Sequence, residues 1–455
     1  MTDLDEAFHD APVDAELRAA LAAQQLDVRR ADDASRAEVD AWLDAVSRGF
    51  LDGERNDTQR QAFFDRGAYR RKLGVHDPSA PHPETPVATF ASWGTRLTVP
   101  GGDLPACAIS SVTVAPTHRR RGLLRTLMTG ELRTAAALGF PAAVLTVSES
   151  GIYGRFGFAP AASAAQWKID VRRAGWRGPV PAAGSEAGRI DFVSREEGRA
   201  LAEGIHTRVR AVTPGEIDMP GGHWDRFFGT RPDAEKAENL RVVQYRAPGD
   251  GGAGANGGAE GAVDGLALYR VAENHDDFAA SSIDMHLLLA ATDEAYTALW
   301  HFFLSMDLIG TIRAGELSVD EPLWWMLADQ RAATITVRDH QYVRILDVAA
   351  ALRARRYDAV DDVVLEVDDP LGIASGTFAL HTAADGSATV DAVDAADAVD
   401  TALRVRLGVA ELSALLLGGV SALTLARAGR LRTDDPVRLA RVFRGTVTPS
   451  LGFWY

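Results

Sequence analysis

The sequence predicts a mixed α+β protein built from several domains. Its 455 residues exceed what one hydrophobic core normally holds and correspond to about two to four domains. Strand-like segments of alternating apolar and polar residues recur along the chain, separated by segments with apolar residues at helical spacing. Hydrophobic residues make up 46% of the chain and charged residues 24%, which is typical of proteins with a buried core.

The charge balance restricts the classes of partner. The formal net charge is -15, so the surface repels the phosphate backbone of nucleic acid and anionic membranes. We therefore expect no nucleic-acid partner and expect a cationic substrate to be attracted. The single cysteine, Cys107, excludes an intrachain disulfide and is interpreted as a small buried core residue. The histidines are scattered without zinc-ligand spacing, so we predict no metal site.

No segment has the features of a membrane span or a secretory signal. The first 26 residues are acidic and lack an apolar run behind basic residues. The longest uncharged apolar stretch, residues 412–426, is shorter than the ~20 residues that cross a bilayer, and Gly418 and Gly419 interrupt it. A cytoplasmic protein is therefore expected.

Three regions follow an N-terminal extension. Residues 1–26 are alanine-rich and acidic, and we expect a loose helix or a disordered arm. In the first region, the pattern predicts strands at 26–29, 87–93, 97–99, 108–114 and 142–147, helices at 38–50 and 121–138, and a loop at 76–86.

The second region, from about residue 166, has a similar strand–helix–strand rhythm, which suggests a duplication. Its predicted strands are 166–171, 240–246, 265–271 and 283–290, with a helix at 292–308. The glycine-rich segment 248–262 lies between two strands and is predicted to be a flexible hairpin loop. In the third region, the predicted strands are 332–337, 343–348, 362–366, 376–381, 388–393 and 403–407, and the predicted helices are 348–356, 409–417 and 436–443.

The strongest functional signal is a strand, turn and helix around Pro116. Val112 and Val114 alternate with polar neighbours, and Pro116 ends the strand because it cannot donate a ladder hydrogen bond. The helix that follows is amphipathic, and Gly139 ends it.

The start of this helix has the properties of an anion site. A helix N-terminus presents unpaired N–H groups and the positive end of the helix dipole. Gly122 lets the backbone approach a phosphate, because no Cβ stands in the way. Since Arg119 and Arg120 add positive charge, the segment is suited to a pyrophosphate. The alternative is an ordinary basic helix start on the surface.

These residues resemble the acetyl-CoA signature of the Gcn5-related N-acetyltransferases. The pattern Arg119-x-x-Gly122 after a Val-x-Val strand carries the resemblance, and the longer string VTVAPTHRRRGLLR is similar to the Eis (enhanced intracellular survival) subgroup. The similarity covers nearly the whole chain after the extension. It includes YGRFGF at 153–158, DEPLWWMLAD at 320–329, VRILDV at 343–348 and an aromatic last residue.

The resemblance implies an α+β subunit of three domains behind the extension at 1–26. An active Gcn5-related acetyltransferase domain is expected at residues 27–165, and a degenerate acetyltransferase-like domain without a cofactor motif at 166–330. Residues 331–455 are expected to form an α+β domain similar to sterol carrier protein type two. Members of the subgroup assemble as homohexamers, so a homo-oligomer, and by resemblance a hexamer, is expected.

The resemblance also implies which residues bind acetyl-CoA, the co-substrate. The pantetheine amides are expected to pair with the strand backbone and the pyrophosphate to bind at the helix start. Two residues after the predicted strand at 142–147 are expected to approach the cofactor from the neighbouring strand. The implied cofactor-binding residues are Val112, Thr113, Val114, Arg120, Arg121, Gly122, Leu123, Leu124, Arg125, Ser148 and Glu149.

Two catalytic residues are implied by the same resemblance. Tyr153 is expected to be the general acid that protonates the departing thiolate; judged by residue type alone, it is a core tyrosine with a satisfied hydroxyl. The carboxylate of Tyr455 is expected to be the general base. Most chain ends are frayed, but the apolar residues 451–455 are unlike a disordered tail.

The implied reaction is a direct acetyl transfer in a ternary complex. Subgroup members acetylate aminoglycosides and other amines, so a small cationic amine such as an aminoglycoside or polyamine is the expected acceptor. Family members often carry an acidic residue just before the last one, whereas this chain has Trp454. Two alternatives remain open: a protein or peptide lysine acetyltransferase, and a lipid-binding scaffold with vestigial transferase domains.

Overall fold

The computed structural model describes residues 3–180, 188–248, 261–394 and 401–455. These residues form two compact units. The first contains the chain as far as Ala162, together with Asp339–Pro449 and Tyr455, and the second contains Ser163–Arg338 and Ser450–Trp454.

Both units combine helices and strands, which confirms the predicted α+β class. The strands are β1 Asp27–Arg30, β2 Arg71–His76, β3 Ala88–Val99, β4 Gly102–Val114, β5 Ala142–Thr146, β6 Ala159–Asp170, β7 Arg189–Val193, β8 Leu240–Arg246, β9 Val263–Ala272, β10 Ser281–Ala290, β11 Ile309–Leu317, β12 Ala333–Ile345, β13 Asp361–Asp368, β14 Gly376–Thr382, β15 Ala388–Ala392, β16 Leu403–Gly408 and β17 Leu431–Thr433. The α-helices are α1 Asp3–Asp10, α2 Ala15–Ala22, α3 Arg36–Phe50, α4 Asp57–Arg66, α5 Leu123–Ala137, α6 Ser150–Tyr153, α7 Val171–Ala174, α8 Arg195–Val212, α9 Gly221–Phe227, α10 Asp293–Leu304, α11 Leu323–Met326, α12 Val348–Ala354, α13 Val409–Leu415, α14 Ala422–Arg427 and α15 Pro436–Phe443.

The N-terminal extension folds as two helices that pack on the first unit. Phe8 of α1 and Leu17 and Leu21 of α2 are fully buried, and the Phe8 ring lies edge-on to Phe140 at 5.2 Å. The expectation of a loose helix or disordered arm was therefore wrong. Three large apolar side chains in an acidic, alanine-rich run give little periodic signal, and their burial depends on distant partners.

The larger sheet of the first unit positions the motif. Strands β1 to β5 follow chain order, and the last residues of β12 pair with β5. β4 and β5 are parallel and are joined by α5. The two predicted strands 87–93 and 97–99 are one strand, β3, in which Gly94 pairs with Cys107. The core between this sheet and α5 includes Leu73, Phe90, Cys107, Leu127 and Leu145.

The smaller sheet of the first unit has the order β15-β14-β13-β16-β17. Beside it, the fully buried Arg355 donates hydrogen bonds to the carbonyls of Leu415 and Leu416 at the end of α13 and of Phe443 at the end of α15. A cation at two helix C-termini offsets the negative ends of both dipoles, so Arg355 joins these helices. The elements predicted within residues 348–443 are present, whereas α14 and β17 were not predicted.

The second unit has the strand order β6-β11-β10-β9-β8-β7. Its parallel strands β10 and β11 are joined by α10, which is the arrangement of β4, α5 and β5 in the first unit. This repetition supports the suggested duplication. Most of the predicted hairpin loop 248–262 lies outside the described residues, but β8 and β9 on its two sides pair antiparallel.

The longest helix in the described ranges, α8, has 18 residues and carries many charged side chains. No helix within these ranges combines the length and apolar character needed to cross a membrane. Over the same part of the chain, no group of three or more His, Cys, Asp or Glu side chains is arranged to hold a metal ion.

Candidate active site

Strands β4 and β5 separate before β4 ends. Parallel pairing joins residues 106–109 of β4 to residues 142–145 of β5. β4 then continues to Val114, and no described strand pairs with its last residues on the β5 side. The backbone groups there are available to an extended ligand, which can add to a sheet edge as another strand does.

A bulge in β4 produces the separation. Ser111 has a φ of +51°, and the register against β3 shifts between Thr89 and Ala91. The Thr89 hydroxyl donates to the Ser111 carbonyl at 2.9 Å and lies 2.8 Å from the Thr113 hydroxyl, which holds the bulge in place. Because the extra residue bends the strand, residues 112–114 turn away from β5. Val112, Thr113 and Val114 thus lie on the open segment.

The turn after β4 leaves the start of α5 uncapped. Arg120 has a φ of +65° and Gly122 a φ of +80°, values in the left-handed region. Gly122 is the N-cap residue, and no side chain accepts a hydrogen bond from the first turn. A Cβ on Gly122 would meet no protein atom within 4 Å. The N–H groups of Leu123, Leu124 and Arg125 therefore face open space at the positive end of the helix.

Cationic side chains surround this helix start. Arg120, Arg121 and Arg125 are exposed, and no carboxylate of the described residues forms an ion pair with them. Arg121 makes one long hydrogen bond, 3.5 Å, to the carbonyl of Gln24 at the end of the N-terminal extension. Unpaired guanidinium groups and uncapped N–H groups attract the same anion. The arrangement fits the pyrophosphate of a coenzyme A thioester.

His118 tethers the turn to the loop after β2. Its Nε2 lies 3.0 Å from Asp77 Oδ2, and its Nδ1 lies 2.8 Å from the Thr117 hydroxyl. The hydrogen bond from His118, followed by those from Ser79, holds the pKa of Asp77 well below its usual range. The carboxylate therefore stays ionised, and the turn that leads to Gly122 has a fixed anchor.

Ser148 and Glu149 follow β5 directly. Both are exposed, and Glu149 is the residue before α6. Since β4 and β5 are parallel, their C-terminal ends lie at the same edge of the sheet. The two residues therefore lie across the gap from residues 112–114, and the side chain of neither forms a hydrogen bond with another described residue.

Tyr153 is the last residue of α6. Its side chain is 8% exposed and lies edge-on to Phe158 at 6.2 Å. Burial, followed by the negative charge of Glu149, raises the pKa of its hydroxyl above the usual value of 10. The hydroxyl is therefore protonated at neutral pH, which is the state required of a proton donor.

Tyr455 is buried at the end of β5. The Thr146 hydroxyl donates to a main-chain oxygen of Tyr455 at 2.9 Å, and the Tyr455 ring lies edge-on to Trp93 at 5.5 Å. Burial raises the pKa of its phenol well above the usual value. The phenol therefore keeps its proton at neutral pH and cannot accept one from a substrate. Any basic role of this residue belongs to its terminal carboxylate. The expectation of an inward-packed chain end is confirmed for Phe453 and Tyr455, which are 2% and 7% exposed.

A cationic aromatic cluster beside Tyr455 has no counterpart among the sequence predictions. The Arg70 guanidinium lies 5.2 Å from the Tyr69 ring and 5.1 Å from the Trp93 ring, which Tyr455 also contacts. Arg70 also reaches the Ser111 hydroxyl at 3.4 Å. Tyr69 and Arg70 are adjacent, but Trp93, Ser111 and Tyr455 lie far from them in sequence, and the cluster shares no motif. The sequence offered one local signal for this part of the site. Thr146 carries a hydroxyl at the C-terminal end of β5, the strand parallel to the motif strand β4.

The equivalent helix of the second unit has no anion site. Thr292 caps α10 by accepting a hydrogen bond of 3.2 Å from the N–H of Ala295. Asp293 and Glu294 occupy the first turn and repel a phosphate. A degenerate second acetyltransferase-like domain stays a prediction, and this capped, acidic helix start is consistent with it.

Comparison with known proteins supports this description of the two units. The acetyltransferase (GNAT) domain family matches residues 30–161, a second acetyltransferase (GNAT) domain family matches 215–345, and the sterol carrier protein domain family matches 348–452. The crystal structure of Eis1 from Mycobacterium abscessus superposes with a TM-score of 0.75 at 28% identity, covering 94% of this chain and 100% of that one.

Curated relatives extend over most of the chain. An uncharacterized N-acetyltransferase of Streptomyces avermitilis is 37% identical over 413 residues, covering 88% of this chain and 92% of the relative. N-acetyltransferase Eis of Mycobacterium tuberculosis is 35% identical over 373 residues, covering 81% and 84%. The chain therefore belongs to the Eis-like subgroup of the Gcn5-related N-acetyltransferases, enzymes that transfer an acetyl group from acetyl-CoA to an amine.

Proposed function

We propose that this enzyme acetylates an amine of a small cationic substrate, such as an aminoglycoside or a polyamine, in one direct step. The observation that carries the proposal is that the open segment of β4 and the chain end lie at one edge of the sheet. Both strand ends point to this edge, and the oxygen of Tyr455 is 2.9 Å from Thr146, the last residue of β5. A thioester bound along residues 112–114 therefore lies next to the terminal carboxylate of Tyr455.

The cofactor residues have separate tasks in this proposal. The backbone of Val112, Thr113 and Val114 pairs with the pantetheine amides, and one N–H of this segment meets the oxyanion that forms during attack. The uncapped first turn of α5, with its arginines, holds the pyrophosphate. Ser148 and Glu149 border the cofactor from the other side of the gap. The residues that bind the pyrophosphate in this proposal are Arg120, Arg121, Gly122, Leu123, Leu124 and Arg125.

The two proposed catalytic residues move protons in opposite directions. The Tyr455 carboxylate accepts a proton from the acceptor amine, directly or through a water, as the new N–C bond forms. Tyr153 gives its proton to the sulfur as the C–S bond breaks. A terminal carboxyl has an ordinary pKa of about 3.3–3.7 and is a weak base in water. As an anion it also attracts and orients the ammonium group of an acceptor.

The charge around the chain end bears on acceptor choice. The net charge of -15 attracts cations over long distances. Near Tyr455, however, Arg70 lies against Trp93, and the penultimate residue is Trp454 rather than an acid. Amines that also carry a carboxylate therefore belong in the same test as polycations.

The test is release of free thiol from acetyl-CoA over a panel of aminoglycosides, polyamines, amino acids and lysine-containing peptides. We expect the highest kcat/KM for a small polycationic amine. A preference for peptides supports the lysine acetyltransferase alternative, and a preference for carboxylate-bearing amines contradicts the assignment to polycations. If no amine stimulates thiol release, lipid extraction from the purified protein tests the scaffold alternative.

We further propose, by resemblance to the subgroup, that the enzyme is a cytoplasmic homohexamer. Sedimentation velocity at several protein concentrations tests the assembly. A single species of six times the mass of the 48.7 kDa chain is expected, and a stable monomer contradicts it.

A further inference from the structure

The residues just before Tyr455 are held by a buried acid of the second unit. The N–H of Gly452 donates to Glu216 Oε1 at 2.7 Å, and the N–H of Ser450 donates to the Pro214 carbonyl at 2.9 Å. Glu216 is only 5% exposed, so water does not compete for the first of these bonds. A hydrogen bond to a carboxylate is shorter and stronger than one between neutral groups.

The second oxygen of Glu216 is also occupied. His206 Nε2 lies 3.1 Å from Glu216 Oε2, and His206 is itself 5% exposed. The imidazole ring lies edge-on to Trp224 at 5.2 Å and to Phe453 of the tail at 6.0 Å. Because one oxygen of Glu216 is hydrogen-bonded to His206 and the other to Gly452, the Glu216 carboxylate has a fixed orientation.

We propose that Glu216, oriented by His206, is a positioning residue for the terminal carboxylate of Tyr455. This inference rests on the proposed role of that carboxylate as the base. Gly452 is three residues from the chain end, and three extended residues reach at most about 11 Å. Fixing Gly452 therefore confines the terminal carboxylate to a small region before an acceptor binds.

Packing of Phe453 alone does not supply this restriction. An apolar contact is not directional, whereas the Gly452–Glu216 bond fixes both the position and the direction of the backbone. A tail released from Glu216 has to be ordered again in each catalytic cycle, and ordering costs conformational entropy at every residue. The glycine also suits the close approach, because a Cβ at 452 would lie 3.3 Å from Glu216 Oε1.

The first test compares Glu216→Ala with Glu216→Gln. The alanine variant removes the acceptor of the Gly452 N–H, whereas the glutamine variant keeps an oxygen in its place. We expect Glu216→Ala to lower kcat on the order of tenfold to a hundredfold, the cost of a misplaced catalytic group. Acetyl-CoA affinity by calorimetry stays unchanged, and Glu216→Gln recovers most of the turnover.

A readout independent of activity is the release of Tyr455 by carboxypeptidase A, followed by mass spectrometry. We expect slow release from the wild type and from Glu216→Gln, and faster release from Glu216→Ala. Glu321→Ala is the matched control, since it removes another acid of the second unit that is 8% exposed and does not contact the tail. Equal release from the wild type and Glu216→Ala overturns the proposal.

A double variant separates this inference from the proposed function. If Glu216 acts through the chain end, Glu216→Ala causes no further loss of turnover once Tyr455 is deleted. A full additional loss means that Glu216 acts in another way, and the positioning role fails. If deletion of Tyr455 alone leaves turnover intact, the base assignment fails, and the carboxypeptidase rates decide whether Glu216 anchors the tail.

Discussion

Thr146 Oγ1 donates a hydrogen bond of 2.9 Å to a main-chain oxygen of Tyr455, although 309 positions separate the two residues in sequence. Thr146 ends β5, the strand parallel to the one that carries the acetyl-CoA motif. This bond holds the chain end at the edge where β4 and β5 separate, so a change to the last residue acts on the site directly.

Deleting Tyr455, or extending the chain beyond it with a tag, is expected to cut turnover by roughly a hundredfold or more, because the carboxylate is removed or displaced. Acetyl-CoA affinity should remain intact. Steady-state thiol release and calorimetry measure the two effects, and a protein with an N-terminal tag serves as the control. Full activity in a C-terminally extended protein, with the extension verified by mass spectrometry, contradicts the role of the carboxylate.

Tyr153→Phe keeps the buried ring and removes the proton. We expect kcat to fall by roughly 10²–10⁴, the usual contribution of a positioned acid. Cofactor affinity should stay near that of the wild type, because the ring still packs against Phe158. Phe158→Leu, which alters the neighbour and leaves the hydroxyl, separates packing from proton transfer. If Tyr153→Phe turns over like the wild type, the tyrosine has only a packing role.

Gly122→Trp should block the approach of the pyrophosphate and weaken acetyl-CoA binding steeply, measured as Kd by calorimetry. Gly139→Trp is a matched control at the other end of α5. Gly139 has a φ of +93°, compared with +80° for Gly122, and a Cβ at either position meets no atom within 4 Å. Both variants thus carry similar backbone strain. Equal affinities of the two folded variants for acetyl-CoA contradict the assignment of the pyrophosphate site to the start of α5.

Deleting residues 1–12 is expected to destabilise the first unit. The fully buried Arg71 is paired with Glu131 and also donates to the carbonyls of His9, Ala11 and Pro12. The deletion removes these three acceptors and the buried Phe8 ring, for a loss of roughly 3–6 kcal/mol. Urea unfolding followed by tryptophan fluorescence measures it. His82→Ala, an exposed change, should be neutral, and an unchanged midpoint in the deletion contradicts the packing of the extension.

Glu321 should make the second unit less stable as the pH rises. Burial raises its pKa to about 7, and the hydrogen bond from Tyr296 only partly opposes this. Between about pH 4.3 and 7 the folded state holds a proton that the unfolded state has released, so stability falls by roughly 4 kcal/mol as the pH rises through this window. Glu321→Gln lacks this slope. Thermal unfolding of both proteins over this range measures it, with Asp276→Asn as an exposed control in the same unit; parallel profiles contradict the shift.

Local patterns predicted much of the fold, and their failures have physical causes. The apolar pattern of β12 is broken by polar residues, and two strands, 332–337 and 343–348, were predicted where the structure has one. His340 and Gln341 in that interruption are fully buried, because their place in the sheet and not their polarity decides their burial. The helix predicted at 292–308 ends at Leu304, where the cap residue Ser305 leaves the helical region with a φ of -100° and a ψ of 2°.

The sequence by itself determined the strand, turn and helix around Gly122, the family and the α+β class. These depend on periodicity, on glycine and proline, and on charges within about 15 residues of one another, so they are written locally. Only the tertiary structure decided the bulge at Ser111, the packing of the extension on Arg71, and the bond between Thr146 and Tyr455. Such contacts join residues far apart in sequence, and the local sequence around either residue does not predict which residue it contacts.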